Sequence, residues 1–300
     1  MIRINNIKLS GNGINKLIDT KAMIVARDIL INGWESLGLK KGDCLMVHSS
    51  IKSLGTIIEQ FARVNKVRAS QIIVESLFDV LGNKGTVVMP ALSGTKQWFN
   101  KPAEKRSWNI NIKTTTSTLC EEFRKMPGVK RSIHPTHSVV AKGPLAEWLI
   151  KDHLHSKTPC GMGSPYEKLR RVNAYILLIG VGLGQCTFIH HLEEVFNIPG
   201  HIDDDRKLKI AIEGFGVKEF TVHAIEGPYF NWNLNDFEKK LIDEGIMVQR
   251  TVGKAKCLLI KDINKMTDIS YGFFRRERYK RFVKDYLDAI AARNLQINKK

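Results

Sequence analysis

Residues 175–196 read YILLIGVGLGQCTFIHHLEEVF, and this stretch decides the class of fold. Its opening residues, Tyr175 to Ile179, form the most apolar predicted strand of the chain, which is typical of a buried position. A glycine-rich turn follows, and a helix is expected from about Thr187 to Phe196. A buried strand that leads through a short turn into a helix indicates an α/β protein.

The same alternation extends in both directions along the chain. Further strands are predicted at 44–47, 85–90 and 138–141, and helices at 20–38, 70–81, 119–126 and 165–172. The polar segment 92–118 is expected to be a long functional loop. Two hairpins are predicted at 207–226 and 248–261, with helices at 235–244 and 273–292. We therefore predict a single α/β domain over residues 1–300, with a central mixed sheet that is mainly parallel in its first two thirds and gains antiparallel hairpins toward the C-terminus.

The chain is strongly basic, with 47 lysines and arginines against 30 acidic residues and a formal charge of +17. These cations are spread along the sequence, without a recognisable nucleic-acid module, which favours a solvated basic surface or attraction of an anionic ligand. They become denser only near the end, at Arg275, Arg276, Arg278, Lys280, Arg281 and Lys284.

No apolar run approaches the roughly 20 residues that cross a bilayer, and the N-terminus lacks a signal-peptide core, so a cytoplasmic location is expected. The five cysteines are scattered without a CxxC pair, which argues against a disulfide framework or a thiolate zinc site.

Three segments at strand ends carry candidate chemistry. The first is His48-Ser-Ser-Ile-Lys-Ser53, where hydroxyls and backbone N–H groups can hold a thioester carbonyl or a phosphate. The second is Arg131-Ser-Ile-His-Pro-Thr-His-Ser138, where an arginine beside histidines and serines suits an anionic group. For each segment the alternative is an ordinary polar loop.

The third segment begins the helix at Thr187. Positions 187, 190 and 193 or 194 share one helix face, so His190 can be held by a carboxylate one turn later and act as a general base. The alternative is a capped helix with surface histidines. A zinc hydrolase that uses His134, His137, His190 and Glu193 is a second alternative, although the HExxH motif is absent and Pro135 opposes a helical pairing of the first two histidines.

Taken in order, these segments resemble the aminoglycoside 3-N-acetyltransferase family. The resemblance covers residues 40–200 and is thin before about residue 20 and after 205, in the region of the predicted hairpins and helices over 205–300. Its motifs are HSS, RS-x-HP-x-x-S, GSP-x-x-KL and T-x-x-H-x-x-E, which lie in GDCLMVHSSIKSLG (42–55), FRKMPGVKRSIHPTHSVVAKG (123–143), GMGSPYEKL (161–169) and TFIHHLEEVFNIPG (187–200); VESLFDVLGNKGTVVMPAL (74–92) matches as well.

The resemblance implies direct transfer of an acetyl group from acetyl-CoA, as co-substrate, to a small-molecule amine, without a metal. It implies His190 as the base and Glu193 as its carboxylate partner. It also implies an acetyl-CoA site lined by His48, Ser49, Ser50, Lys52 and Ser53 and by Arg131, Ser132, His134 and Ser138.

One departure bears on the acceptor. Drug-modifying members commonly carry an acidic residue shortly before the motif threonine, where this chain has Gly184-Gln-Cys186, and a protein of charge +17 is poorly suited to a polycation. We expect a neutral or anionic amine instead, with Asp203, Asp204 and Asp205 as the acidic counterweight. A basic nucleic-acid-binding protein is the non-enzymatic alternative, and the sequence leaves a homodimer open.

Overall fold

The protein is represented by a computed structural model that describes residues 3–4, 7–8, 25–54, 66–224 and 232–297. The strands are β1 Arg3–Ile4, β2 Ile7–Lys8, β3 Cys44–Ser49, β4 Thr86–Pro90, β5 Ser107–Trp108, β6 Lys130–Arg131, β7 Val139–Lys142, β8 Tyr175–Ile179, β9 Leu208–Ile212, β10 Gly216–Phe220, β11 Met247–Val252 and β12 Ala255–Ile260. The helices are α1 (25–37), α2 Lys66–Leu81, α3 Thr95–Phe99, α4 Thr118–Arg124, α5 Ala146–Ile150, α6 Pro165–Arg171, α7 Phe188–Val195, α8 Leu234–Asp243 and α9 Ile263–Ile297.

Seven strands form the main sheet in the order β11-β12-β8-β3-β4-β7-β6. The three central strands β8, β3 and β4 are parallel, whereas β12 joins β8 and β7 joins β4 in antiparallel fashion. The predicted mixed sheet with a C-terminal antiparallel hairpin is thereby confirmed. Ser49 is in register with Ile179, so the carboxyl ends of β3 and β8 lie side by side.

Both faces of the main sheet are covered, and successive side chains of each strand point into the two cores in turn. Leu45, Leu177 and Ile179 pack into a core with helices α1 and α2 on one face. Met46 and Leu178 point to the other face, where α6, α7, α8 and α9 complete a second core. Strands covered on both sides read as continuous apolar runs, which is why β3, β4 and β8 are recognisable in the sequence.

The segment 92–118 differs from the predicted loop, because it contains α3 and β5. Trp98 and Trp108 are almost fully buried in a third, smaller core with Leu208, Ile210 and Phe220. Strand β5 pairs with β9, and the predicted hairpin β9–β10 thus belongs to a separate three-stranded sheet. Burial of two tryptophan side chains stabilises this folded segment, whereas a solvated loop would leave both side chains in water.

The helix predictions hold with shifted ends. The predicted helix at 20–38 is observed over 25–37, and its first residues lie outside the described part of the chain, as do the last two of the predicted hairpin at 207–226. Helix α9 starts ten residues before the predicted 273, since Ile263 and Met266 are buried against the second core. Among the described residues, no helix is both long and apolar enough to span a membrane.

Candidate active site

A cavity of about 580 Å³ opens where the carboxyl ends of β3 and β8 meet the start of α7. The predicted residues His48, Ser49, His190 and Glu193 all line it. The rest of its wall is mainly hydroxyl-bearing and apolar, with Thr115, Thr116, Ser117, Thr187, Val181, Leu183, Ile189, Trp232 and Leu234 among its members. The cavity thus lies at the strand ends, where α/β folds build ligand sites.

His190 and Glu193 form a hydrogen-bonded pair on α7. The Nδ1 atom of His190 lies 2.9 Å from Oε2 of Glu193, and the His190 side chain is 39% exposed against 10% for Glu193. An ionised carboxylate only accepts hydrogen bonds, so Nδ1 is the donor, and in the neutral ring the lone pair is on Nε2. The pair has the arrangement of an oriented base.

The Glu193 carboxylate has two further neighbours. Trp232 Nε1 donates to Oε1 at 2.5 Å, and His201 Nδ1 lies 3.3 Å from Oε2. Burial alone would raise the pKa of Glu193, but the His190 hydrogen bond, the nearby histidines and Trp232 outweigh it and leave the pKa below its usual value. Glu193 therefore stays ionised at neutral pH.

His48 connects the end of β3 to the start of α7. Its Nε2 atom accepts the backbone N–H of Thr187 at 3.0 Å and lies 2.8 Å from the Thr187 hydroxyl. Burial, followed by the proximity of His190, lowers the pKa of His48 to about 3. The ring is therefore neutral at pH 7, and it joins the HSS segment, of which it is the first residue, to the threonine of the T-x-x-H motif.

The remaining residues of the HSS segment have local roles. The Ser53 hydroxyl donates to the Ser50 carbonyl, and the Ser50 N–H donates to the Ile179 carbonyl at 2.8 Å. Gly180 has φ +62°, and a Cβ there would collide with the Ser53 side chain, so the turn after β8 requires glycine. Ser50, Lys52 and Ser53 are absent from the cavity wall, of which Ser49 is a part.

Arg131 lies outside the cavity wall and is engaged by the scaffold. Its guanidinium donates to the Ser138 hydroxyl at 3.0 Å, to the Ala91 carbonyl at 2.9 Å and to the carbonyls of Ile110 and Ile112. Burial lowers the pKa of Arg131 to about 10, so it remains a cation. Four of its five N–H groups are engaged by these acceptors, and the binding of phosphate by Arg131 stays a prediction.

Ser132 and His134 are likewise buried and bonded within the fold. The Ser132 hydroxyl lies 2.8 Å from Nδ1 of His153 and accepts the Val139 N–H at 2.9 Å. Nδ1 of His134 accepts the backbone N–H of His137 at 3.0 Å. The segment Arg131–Ser138, which connects β6 to β7, is therefore held in place by hydrogen bonds within the fold.

Several residues beside the pair escaped the sequence analysis. Trp232 and His201 contact Glu193, and His223 Nε2 lies 2.6 Å from Oε1 of Glu194. Thr115, Thr116 and Ser117, which directly precede α4, also line the cavity. Trp232, His223 and the residues at 115–117 lie far from α7 in sequence, and no motif pointed to them or to His201.

Comparisons with known proteins identify the family of the chain. The sequence profile of the family described as aminoglycoside 3-N-acetyltransferase matches residues 46–273. An SPbeta prophage-derived aminoglycoside N(3')-acetyltransferase-like protein, YokD of Bacillus subtilis, is 30% identical over 82% of this chain and 91% of its own length. Aminoglycoside N(3)-acetyltransferase III of Salmonella sp is 33% identical over 55% of this chain and 59% of that protein.

Solved structures share the fold. The crystal structure of YokD has a TM-score of 0.68 at 28% identity and covers 83% of this chain and 92% of its own. The structure described as AAC-IIIb binary with CoASH has a TM-score of 0.66 at 24% identity, over 84% of this chain and 96% of that one, and shows likeness of fold alone. The resemblance found in the sequence is confirmed: this chain belongs to the aminoglycoside 3-N-acetyltransferase family, a family of acyltransferases.

Proposed function

We propose that this protein transfers the acetyl group of acetyl-CoA directly to the amino group of a small acceptor, with His190 as the general base. The observation that carries the proposal is the His190–Glu193 pair at 2.9 Å, on the wall of a cavity in a chain of this family. The pair combines a free imidazole lone pair with an ionised partner.

The steps follow from the two side chains. His190 Nε2 takes a proton from the acceptor nitrogen as that nitrogen attacks, because a protonated amine is no nucleophile. Glu193 stabilises the imidazolium that forms and keeps the ring in place. Acetyl-CoA supplies the activated acyl group: an N–C bond forms, the C–S bond breaks, and CoA leaves as the thiol.

The cavity wall supplies polar groups suited to a thioester. Ser49 and the hydroxyls of residues 115–117 line it from β3 and from the start of α4. We assign the binding of the thioester carbonyl to the Ser117 hydroxyl, which accepts from Ser49 at 3.5 Å and keeps its own proton to donate, because the hydroxyls of Thr115 and Thr116 already donate to the carbonyls of Leu92 and Pro90. In this proposal the β6–β7 connection supports the site without touching acetyl-CoA. Its shape is held by the internal hydrogen bonds of Arg131, Ser132, His134 and Ser138.

We further propose that the acceptor is a neutral or anionic amine, such as a phosphorylated or nucleotide-linked amino sugar. Glu193, the one carboxylate among the described residues of the cavity wall, is already bonded to His190 and Trp232. In the acidic run, Asp203 is paired with Arg206 at 2.7 Å. Both observations speak against an acidic pocket that would collect a polycation.

A second cavity of about 500 Å³ lies on the other side of Glu193. Besides Glu193 it is lined by the acidic residues Glu194 and Asp204 and by the basic residues Lys157 and Lys207. Its charges are therefore nearly balanced. A neutral or zwitterionic acceptor suits such a wall better than a molecule with several ammonium groups.

Binding and turnover test the activity separately. Acetyl-CoA is expected to raise the melting temperature, because a ligand that binds only the native state stabilises it by about 2.7 kcal/mol at 100 times its Kd. Mass spectrometry of a panel of amines incubated with acetyl-CoA then identifies the acetylated acceptor. An unchanged melting temperature at millimolar acetyl-CoA, together with calorimetry that detects no heat, would refute the assignment.

A further inference from the structure

Histidines are concentrated beside the proposed base far beyond what its chemistry requires. Neighbouring ring centroids lie 4.2 to 6.3 Å apart in one continuous network. The network consists of His134, His137, His153, His190, His201 and His223. The proposed transfer uses one of these rings as a base, so the clustering of the others needs a separate explanation.

Three of these rings converge on a common point. His137 precedes β7, His190 lies on α7 and His223 follows β10, yet one ring nitrogen of each lies within 4.8 Å of those of the other two. Three imidazole nitrogens with an open fourth position are a typical zinc site, and small side-chain rotations bring such atoms to the roughly 2.0–2.1 Å of a Zn–N bond.

The other nitrogen of each ring already has a partner. Nδ1 of His190 is bonded to Glu193 at 2.9 Å, Nε2 of His223 to Glu194 at 2.6 Å and Nδ1 of His137 to the Thr136 hydroxyl at 2.9 Å. The opposite nitrogen of each ring is thus the one available to a metal. Histidine ligands in proteins are commonly oriented in this way by a carboxylate or another polar group on the second ring nitrogen.

Two other groups in the described chain also have ligand-like spacing, and both are weaker candidates. Cys160, Glu194 and His223 form one, but Oε1 of Glu194 already accepts the Cys160 N–H at 2.8 Å and the His223 ring. His190, Glu193 and His201 form the other, in which Glu193 already receives Trp232. A metal ion held by the three histidines leaves the hydrogen bonds of Glu193 and Glu194 intact, which favours that group.

We propose that His137, His190 and His223 bind a divalent transition metal ion such as zinc, and that the bound ion inhibits acetyl transfer. The inhibitory part rests on the proposed function, since His190 Nε2 is the atom that accepts the amine proton. A metal ion bound to that nitrogen occupies its lone pair, so His190 can no longer accept the proton of the amine. Zinc is favoured because it prefers nitrogen ligands and adopts tetrahedral sites that hold three protein groups.

Calorimetric titration of the full-length protein with zinc chloride tests the site without relying on activity. One equivalent is expected to bind, and binding is expected to disappear in both His137→Gln and His223→Gln. Glu194→Gln removes the partner of His223 and is expected to weaken affinity by about 10- to 100-fold. The exposed His155 provides the matched control, so His155→Gln is expected to bind zinc like the wild type.

Cobalt spectroscopy of the wild type complements the variants, because it does not depend on how they fold. Cobalt(II) bound by the three histidines is expected to give the intense visible bands of a tetrahedral complex, which one equivalent of zinc removes. Absence of zinc binding by the wild type overturns the proposal. So does loss of binding in Cys160→Ser with retention in His137→Gln, which would assign the metal to the cysteine group.

Initial rates with and without zinc, compared within each variant, test inhibition. Acetylated product is followed by mass spectrometry, since the thiol of CoA itself binds zinc. Saturating zinc is expected to lower the wild-type rate by about 10²-fold or more, the contribution of a general base, and chelation is expected to restore it. An unchanged or higher rate with zinc bound overturns the inhibitory role. If no amine is acetylated under any condition, the proposed function fails, while calorimetry still decides the metal site.

Discussion

At the scale of a single residue, we predict that activity depends on one imidazole lone pair, that of His190. His190→Ala is expected to lower turnover by roughly 10²- to 10⁴-fold, the contribution of a general base, and to leave the affinity for acetyl-CoA nearly unchanged. Steady-state kinetics and calorimetry measure the two quantities. His155→Ala is the matched control because His155 is exposed; His191 is unsuitable, since it is fully buried against the Cys160 carbonyl. Near-wild-type turnover of His190→Ala would exclude it as the base.

At the scale of secondary-structure elements, the His48–Thr187 contact joins β3 to α7 and thereby sets the position of His190. His48→Leu keeps the bulk of the ring but leaves the buried Thr187 N–H without its acceptor, at a cost of about 1–3 kcal/mol in unfolding free energy. We expect kcat to fall by about 10- to 100-fold, because a displacement of about 1 Å suffices for such a loss.

The ratio of kinetic parameters separates this positioning role from cofactor binding. If His48 positions α7, the loss appears in kcat and the KM for acetyl-CoA changes little. A variant that raises this KM while kcat stays constant would restore the role implied by the family resemblance. Thr187→Val, which keeps the backbone N–H on His48 Nε2 and removes only the hydroxyl, is expected to have a smaller effect.

At the scale of the whole molecule, buried neutral histidines make stability depend on pH. Burial lowers the pKa of His153 to about 3, while the unfolded chain has the ordinary value near 6.5. Between these values the unfolded state binds the extra proton, so stability is complete above about pH 6.5 and falls by about 1.4 kcal/mol per unit as the pH drops toward 3.

Urea unfolding at pH 7.5 and 5.5 checks this dependence. His153→Gln is expected to be less stable at pH 7.5 but to lose about 1.4 kcal/mol less than the wild type on acidification, because one titrating group is gone. The comparison isolates this residue from other groups. His155→Gln, at an exposed site, is expected to keep the wild-type slope; equal slopes for all three proteins would show that His153 does not titrate in this way.

We predict that the overall charge biases the choice of acceptor. With a formal charge of +17, the average field attracts anions and repels cations, an effect on encounter that reaches 10-fold or more at low salt and fades with ionic strength. Competition between a phosphorylated amino sugar and a kanamycin-type amine at two salt concentrations measures it. We expect the anionic amine to have the higher kcat/KM, most clearly at low salt. A higher value for the polycationic amine would show that local acidic groups override the field.

The sequence by itself determined the features that depend on neighbours in the chain. Strands β3, β4 and β8 are apolar runs because both faces of the sheet are covered, and α7 follows β8 through a turn that needs Gly180. The His190–Glu193 pair was predictable because residues three apart share a helix face. The single domain, the cytoplasmic location, the homodimer and the roles of the site residues stay predictions.

The tertiary structure alone decided which polar groups are free to act. Arg131 matched a phosphate-binding pattern, but the carbonyls of Ala91 and Ile110, distant in sequence, accept its hydrogen bonds. Likewise His137, His190 and His223 converge only because β7, α7 and β10 meet in the fold. Side-chain type and spacing specify what a group can bind, whereas burial and the need to pair every buried donor decide what it does bind, and both depend on long-range packing.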